Sequence, residues 1–174
     1  TNLLNLKYIF ISRGGGIEYH PAIKLVSKNS KYTLLKNTMA LPRAFIVHES
    51  KTLQGRDAIF KELVSREFNP LKYIILEEPS VLVKNIDHLG IQQEPIPTFL
   101  EYSPNRVTIK ATLSDDGYLV LGDTFYPGWN AYVDGKKRRV LKTDYILRSV
   151  FLEKGDHIVK FVYEPKSFTI GMII

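Results

Sequence analysis

Residues 119–136, LVLGDTFYPGWNAYVDGK, narrow the possible folds more than any other part of the chain. Leu119, Val120 and Leu121 suit a buried strand. Tyr126-Pro127-Gly128 breaks it, because proline has no amide hydrogen to donate and glycine takes backbone angles closed to other residues. Trp129, the only tryptophan, follows the break, and Ala131-Tyr132-Val133 leads into Asp134-Gly135. Asp-Gly between two extended runs signals a two-residue type I′ hairpin turn. The segment therefore predicts a strand, a corner carrying a large aromatic, a strand, a tight turn and a further strand.

The surroundings continue in the same period. Residues 106–113 alternate, with Val107, Ile109, Ala111 and Leu113 on one face. Residues 145–152 read as another strand, and 157–163 alternate with Val159, Phe161 and Tyr163 inward. Turn signals at short intervals suit an antiparallel β-sandwich, and no helix is expected beyond about residue 97.

Upstream the pattern is mixed. Residues 3–11, LLNLKYIFI, are nearly all apolar, as in a strand covered on both faces. Gly14-Gly15-Gly16 reads as a plain loop, since Pro21 argues against the helix a phosphate cradle requires. Short strands are expected at 32–36 and 43–48. Residues 57–68 predict the one main helix, with Asp57 in its first turn, an apolar stripe of Ile59, Phe60, Leu63, Val64 and Phe68, and Asn69-Pro70 as its stop. A buried strand at 72–77 follows. The fold class expected is α+β: a small mixed α/β lobe over residues 1–94 and a mostly antiparallel β-sandwich lobe over 95–174.

A chain of 174 residues has room for a core that needs neither disulfide nor metal, and it contains no cysteine. The net charge of +6 permits an anionic partner, but only Lys136-Lys137-Arg138-Arg139 is clustered, beside the predicted hairpin, where it reads as a solvated turn. No run of 18 apolar residues spans a membrane. The chain opens on Thr1, and residues 168–174, FTIGMII, turn apolar just as it stops. That tail reads either as a last core strand or as the start of a membrane helix cut from a longer protein.

Catalytic signatures are missing from the sequence. The four histidines stand far apart and form no HExxH, and no GxSxG occurs. Glu77-Glu78 and Asp115-Asp116 are neighbours in sequence, which does not make the facing pair a glycosidase needs. Neither an RNA-recognition pattern nor a helix-turn-helix is visible, so no nucleic-acid partner is expected, and no cofactor is implied. One group suits sugar stacking: Asp123, Tyr126, Trp129, Asn130 and Tyr132 would form a platform if they shared a face. Alternatively, Trp129 plugs the end of the sandwich.

The run from Asp123 to Lys136, DTFYPGWNAYVDGK, resembles the C-terminal signature of the YfhO family of bacterial membrane proteins. Later pieces resemble it in order: DYILRSV at 144–150, KGDHIVKF at 154–161, YEPKSF at 163–168 and Ile170-Gly171. Upstream, LNLKYI at 4–9 and LPRAF at 41–45 fit as well. The resemblance implies an extracytoplasmic domain of a polytopic membrane protein that resembles glycosyltransferases using polyprenyl-phosphate sugars. It implies as partners the membrane portion of the same polypeptide and an envelope glycan. The family's catalytic acid lies in a loop outside this chain, so no catalytic residue is expected here. The candidate ligand residues are Asp123, Tyr126, Trp129, Asn130 and Arg148. An accessory glycan-binding role predicts an exposed aromatic cleft at Tyr126, Trp129 and Arg148. A purely structural role predicts a buried Trp129 and an apolar patch near the termini.

Overall fold

The structure is a computed structural model and describes residues 5–12, 21–79 and 94–165. The glycine loop at 14–16 and the apolar tail at 168–174 lie outside the described residues. The chain divides into two compact units, Thr1–Arg43 and Ala44–Ile174. The division falls after Arg43 rather than near Glu94, because strands from both sides of Glu94 pair within one sheet.

The first unit is a three-stranded antiparallel sheet of β1 (Tyr8–Ser12), β2 (Ile23–Lys28) and β3 (Tyr32–Asn37), in the order β1-β3-β2. Asn29 turns the chain between β2 and β3, its Oδ1 accepting the amides of Lys31 and Tyr32 at 2.8 and 2.9 Å. The side chain of Asn37 ties the ends together, donating to the Leu6 carbonyl at 3.2 Å and accepting from the Met39 amide at 3.0 Å. β1 is not covered on both faces as its apolar sequence suggested. Ile9 and Ile11 are half-buried, whereas Tyr8 and Phe10 are exposed.

The second unit contains β4 (Ala44–Val47), β5 (Glu49–Thr52), α1 (Arg56–Leu63), β6 (Tyr73–Leu76), β7 (Thr98–Ser103), β8 (Arg106–Leu113), β9 (Gly117–Thr124), β10 (Trp129–Val133), β11 (Lys136–Arg138), β12 (Leu141–Thr143), β13 (Leu147–Leu152) and β14 (Gly155–Tyr163). Its described residues are mostly β with one short helix. Five strands are ordered β11-β10-β14-β8-β7, all antiparallel. The other six are ordered β4-β9-β13-β12-β6-β5 and form a mixed sheet, because β5 and β6, joined through α1, run parallel.

The strand order of the six has a geometric consequence. β4 and β5 stand at opposite ends of it, yet Val47 and Glu49 are separated only by His48, so their Cα atoms are within about 7 Å. Residues 44–52 thus act as one long strand whose first half pairs with β9 and second half with β6, and the sheet closes on itself at His48. At that seam one His48 nitrogen, Nδ1, meets the Asp116 carbonyl at 2.9 Å and the other, Nε2, meets Glu94 Oε1 at 2.7 Å.

The main core lies between the two sheets. β8 shows the expected alternation, with Val107, Ile109, Ala111 and Leu113 buried. They join Ala131, Val133, Val159 and Phe161 from the same sheet and Ala44, Ile46, Leu119, Leu121, Val150 and Leu152 from the other. β9 is buried on both faces: Leu119 and Leu121 enter this core, and alternation turns Tyr118 and Val120 to the other side.

The helix is shorter than its periodicity suggested. It ends at Leu63, and Ser65 takes over: its amide reaches the Glu62 carbonyl and its Oγ accepts the Phe68 amide at 3.1 Å. Only Ile59 of the stripe is buried, while Val64 is 79% exposed. Asp57 lies in the first turn as expected, and Gly55 occupies the N-cap. The Asp134-Gly135 turn forms as expected. Both residues have positive φ, 50° and 79°, and Val133 pairs directly with Lys136 across them. The cluster at 136–139 is exposed, with Arg138 3.8 Å from Glu153 and Arg139 ion-paired to Glu78.

Candidate functional site

Three of the five candidate residues, Asp123, Trp129 and Arg148, meet at one end of the inter-sheet core, and the five do not share a face. Trp129, Ala131 and Val133 alternate inward along β10, opposite Tyr163, Phe161 and Val159 of β14. Asn130 and Tyr132 point to the other face. Asn130 Nδ2 donates to Glu164 Oε2 at 3.0 Å, away from the Trp129 ring. The condition for a sugar platform, one shared face, is not met.

From the opposite sheet comes Arg148. The pairing of β13 with β9 shifts register between Leu147 and Arg148, which leaves Gly122 and Asp123 in a bulge. Arg148 is 2% exposed, among the most buried polar residues of the chain. Its guanidinium carbon lies 3.9 Å from the Trp129 ring centroid and 5.5 Å from that of Phe161. One terminal nitrogen donates to Asp123 Oδ2 at 2.9 Å and the other to the Thr124 carbonyl at 3.3 Å. A desolvated cation over an indole contributes about 2 kcal/mol, and the carboxylate supplies the counter-charge that burial demands. Asp123 also accepts from the Tyr102 hydroxyl at 3.2 Å.

Around this centre the aromatics are stacked outward. Tyr163 lies 5.3 Å from Trp129 and 6.4 Å from Tyr126, which is 61% exposed. The corner at Gly128 explains the packing. Its φ is +107°, and a Cβ there would stand 2.9 Å from the Tyr163 ring and 3.1 Å from the Pro165 Cα. Trp129 itself is half-buried and packs on the core cluster. The arrangement places Asp123, Trp129 and Arg148 together, leaves Tyr126 at the rim, and puts Asn130 on the far face.

A polar residue that enters the sequence analysis only within the DYILRSV run, Asp144, is 1% exposed. Its Oδ1 accepts the Ile75 amide at 2.8 Å while its own amide donates to the Ile75 carbonyl at 2.9 Å. The carboxylate thus stands in for a main-chain acceptor and prolongs the pairing of β12 with β6. Oδ2 has no hydrogen-bond partner among the described residues. Burial pushes this carboxyl up to about 7, opposed by the Ile75 hydrogen bond. Asp144 and Tyr145 both take positive φ, 49° and 71°, a conformation aspartate adopts more readily than most residues and tyrosine rarely does. Nearby, burial and then the hydrogen bond to Glu62 push the Tyr73 hydroxyl up to about 12.

At the opposite end of the five-stranded sheet a cleft of about 150 Å³ is lined by Asp134, Lys136, Arg138, Phe151, Glu153 and His157. His157 bonds Asp134 at 2.7 Å, and the Ile158 amide followed by His157 holds that carboxyl below its usual range. The cleft's charges are largely paired within it. No group of three His, Asp or Glu side chains among the described residues has metal-binding spacing.

The sequence profile of the family described as "Bacterial membrane protein YfhO" matches residues 77–174. The chain belongs to the YfhO family. Over 75 residues it is 33% identical to the uncharacterized protein YfhO of Bacillus subtilis (strain 168), an alignment covering 43% of this chain and 9% of that protein. The chain therefore spans a small part of its YfhO relative. All five candidate residues fall inside the matched span. No solved structure matches. No helix among the described residues is long and apolar enough to cross a membrane.

Proposed function

We propose that this chain is a non-catalytic, extracytoplasmic accessory domain of a polytopic, glycosyltransferase-like membrane protein, and that its role there is structural. One observation carries the reading. The Arg148 guanidinium occupies the Trp129 ring at 3.9 Å and spends its terminal nitrogens on Asp123 and Thr124. A ligand-gripping arginine keeps its charge for the ligand, whereas Asp123 already answers this one, and a sugar-stacking tryptophan keeps an open ring face. Here the two close the end of the core against each other. Membership in a family described as membrane proteins supports the setting, and the short span of the relative covered supports a part rather than a whole enzyme.

A second reading, binding of an envelope glycan acceptor, is favoured by Tyr126. It is 61% exposed and its ring is backed by that of Tyr163. Titration of the chain with envelope polysaccharide fragments, followed by Trp129 fluorescence, separates the two. The structural role expects no change at millimolar ligand. A saturable change that Tyr126→Ala removes would establish the glycan reading instead.

A further inference from the structure

Charge is divided unevenly between the units. Residues 1–43 hold seven of the 24 basic side chains but one of the 18 acidic ones, so the entire net charge of +6 lies there; residues 44–174 hold 17 of each. None of Lys7, Lys24, Lys28, Lys31 and Lys36 forms an ion pair with a carboxylate among the described residues, and all five are exposed.

The same unit exposes large apolar side chains. Strand register sorts them. Tyr8, Lys36 and Lys24 stand side by side across β1, β3 and β2, and the next rung on that face carries Phe10 and Leu34. Tyr32 follows, its ring stacked on Phe10 at 4.9 Å. Phe10 is 66% exposed and Tyr8 51%. One sheet face thus presents an aromatic stripe bordered by ammonium groups.

We propose that this face of the three-stranded sheet docks on the surface of an anionic phospholipid bilayer. Tyrosine and phenylalanine rings settle at the depth of the headgroups, where one end meets hydrocarbon and the other water. Lysine stems lie along the apolar surface while the ammonium reaches lipid phosphate. The negative leaflet attracts such side chains over about a Debye length. A nucleic-acid duplex would answer the charge but leave Tyr8 and Phe10 without apolar cover, whereas a single strand stacks bases on aromatic rings and is therefore the competitor in the test. The proposal concerns residues outside the 77–174 span and does not depend on the structural or glycan reading above.

The test uses the full chain and sedimentable vesicles, either of phosphatidylcholine alone or with about a third phosphatidylglycerol. Binding to the anionic vesicles is expected to exceed binding to the neutral ones by roughly tenfold and to fall in high salt. Lys24→Glu with Lys36→Glu should weaken it about tenfold or more. Phe10→Ser should weaken it severalfold while the thermal melt stays unchanged, since both sites are exposed. Equal binding to both vesicle types, or charge-reversal variants that bind as the parent does, overturns the proposal. Displacement from vesicles by single-stranded DNA together with indifference to Phe10→Ser overturns it in favour of nucleic acid.

Discussion

The two units use their apolar residues in different ways. In the larger unit, apolar side chains from two sheets meet in one cluster, and even its arginine is stacked into that cluster. Among the described residues of the three-stranded unit the buried apolar ones are Ala22 and Leu41, while Leu6, Tyr8, Phe10, Leu25, Val26 and Met39 are exposed. The larger unit also balances its charges, and the smaller one does not. Apolar content alone therefore says little about a strand's place. What decides it is whether a second layer covers the face.

The comparison can be broken by substitution, beginning where the effect should be greatest. Arg148→Ala removes a buried cation, leaves Asp123 without its counter-charge and opens space beside Trp129 and Phe161. We expect a loss of about 3 kcal/mol in urea unfolding, with most of it recovered when Asp123→Asn is added to Arg148→Met. A loss below about 1 kcal/mol would place Arg148 outside the core.

A smaller effect should appear on titration of Asp144. Its folded carboxyl is raised from 3.8 to about 7. Below about pH 4 both states hold the proton and burial carries no charge penalty. Above that the unfolded chain releases its proton while the folded chain keeps it up to about pH 7, so stability falls as pH rises through this window. The parent should lose about 2 kcal/mol between pH 5 and pH 7 relative to Asp144→Asn, measured by unfolding at each pH. Parallel pH profiles for the two proteins would mean that the carboxyl titrates normally.

The smallest effect is the most telling for the first unit. Phe10→Ser truncates a large aromatic, which in a core costs about 3–5 kcal/mol. On the open face of β1 the change should stay within about 0.5 kcal/mol. A core-sized loss would show that the face is covered and would erase the contrast.

Much of the larger unit could be read from local sequence. Asp134-Gly135 specifies its own turn, and the alternation in β8 and β14 fixes which residues face inward. The opposed directions of Trp129 and Asn130 follow from the same alternation, since neighbours on a strand point apart. Other features depend on pairings between distant segments. β5, with the sequence ESKT, has no apolar period; it forms because β6 lies beside it in parallel. The boundary expected near Glu94 reflected a change of local period, but β6 before it pairs through Thr143 with β12 after it. Arg148 lies 19 positions from Trp129 on a different sheet, and no spacing rule joins them. Asp144 carries no local signal of burial, because its importance rests on the main chain of Ile75.

The closure at His48 also bears on what these sheets can recruit. Each half of the run at 44–52 is paired on one side only, β4 with β9 and β5 with β6, so the edge left open on each is four residues long. The five-stranded sheet ends instead on β11, three exposed basic residues, and on β7, whose pairing is kinked between Phe99 and Glu101. Brevity, like charge and a kinked border each discourage a second copy from extending these sheets edge to edge.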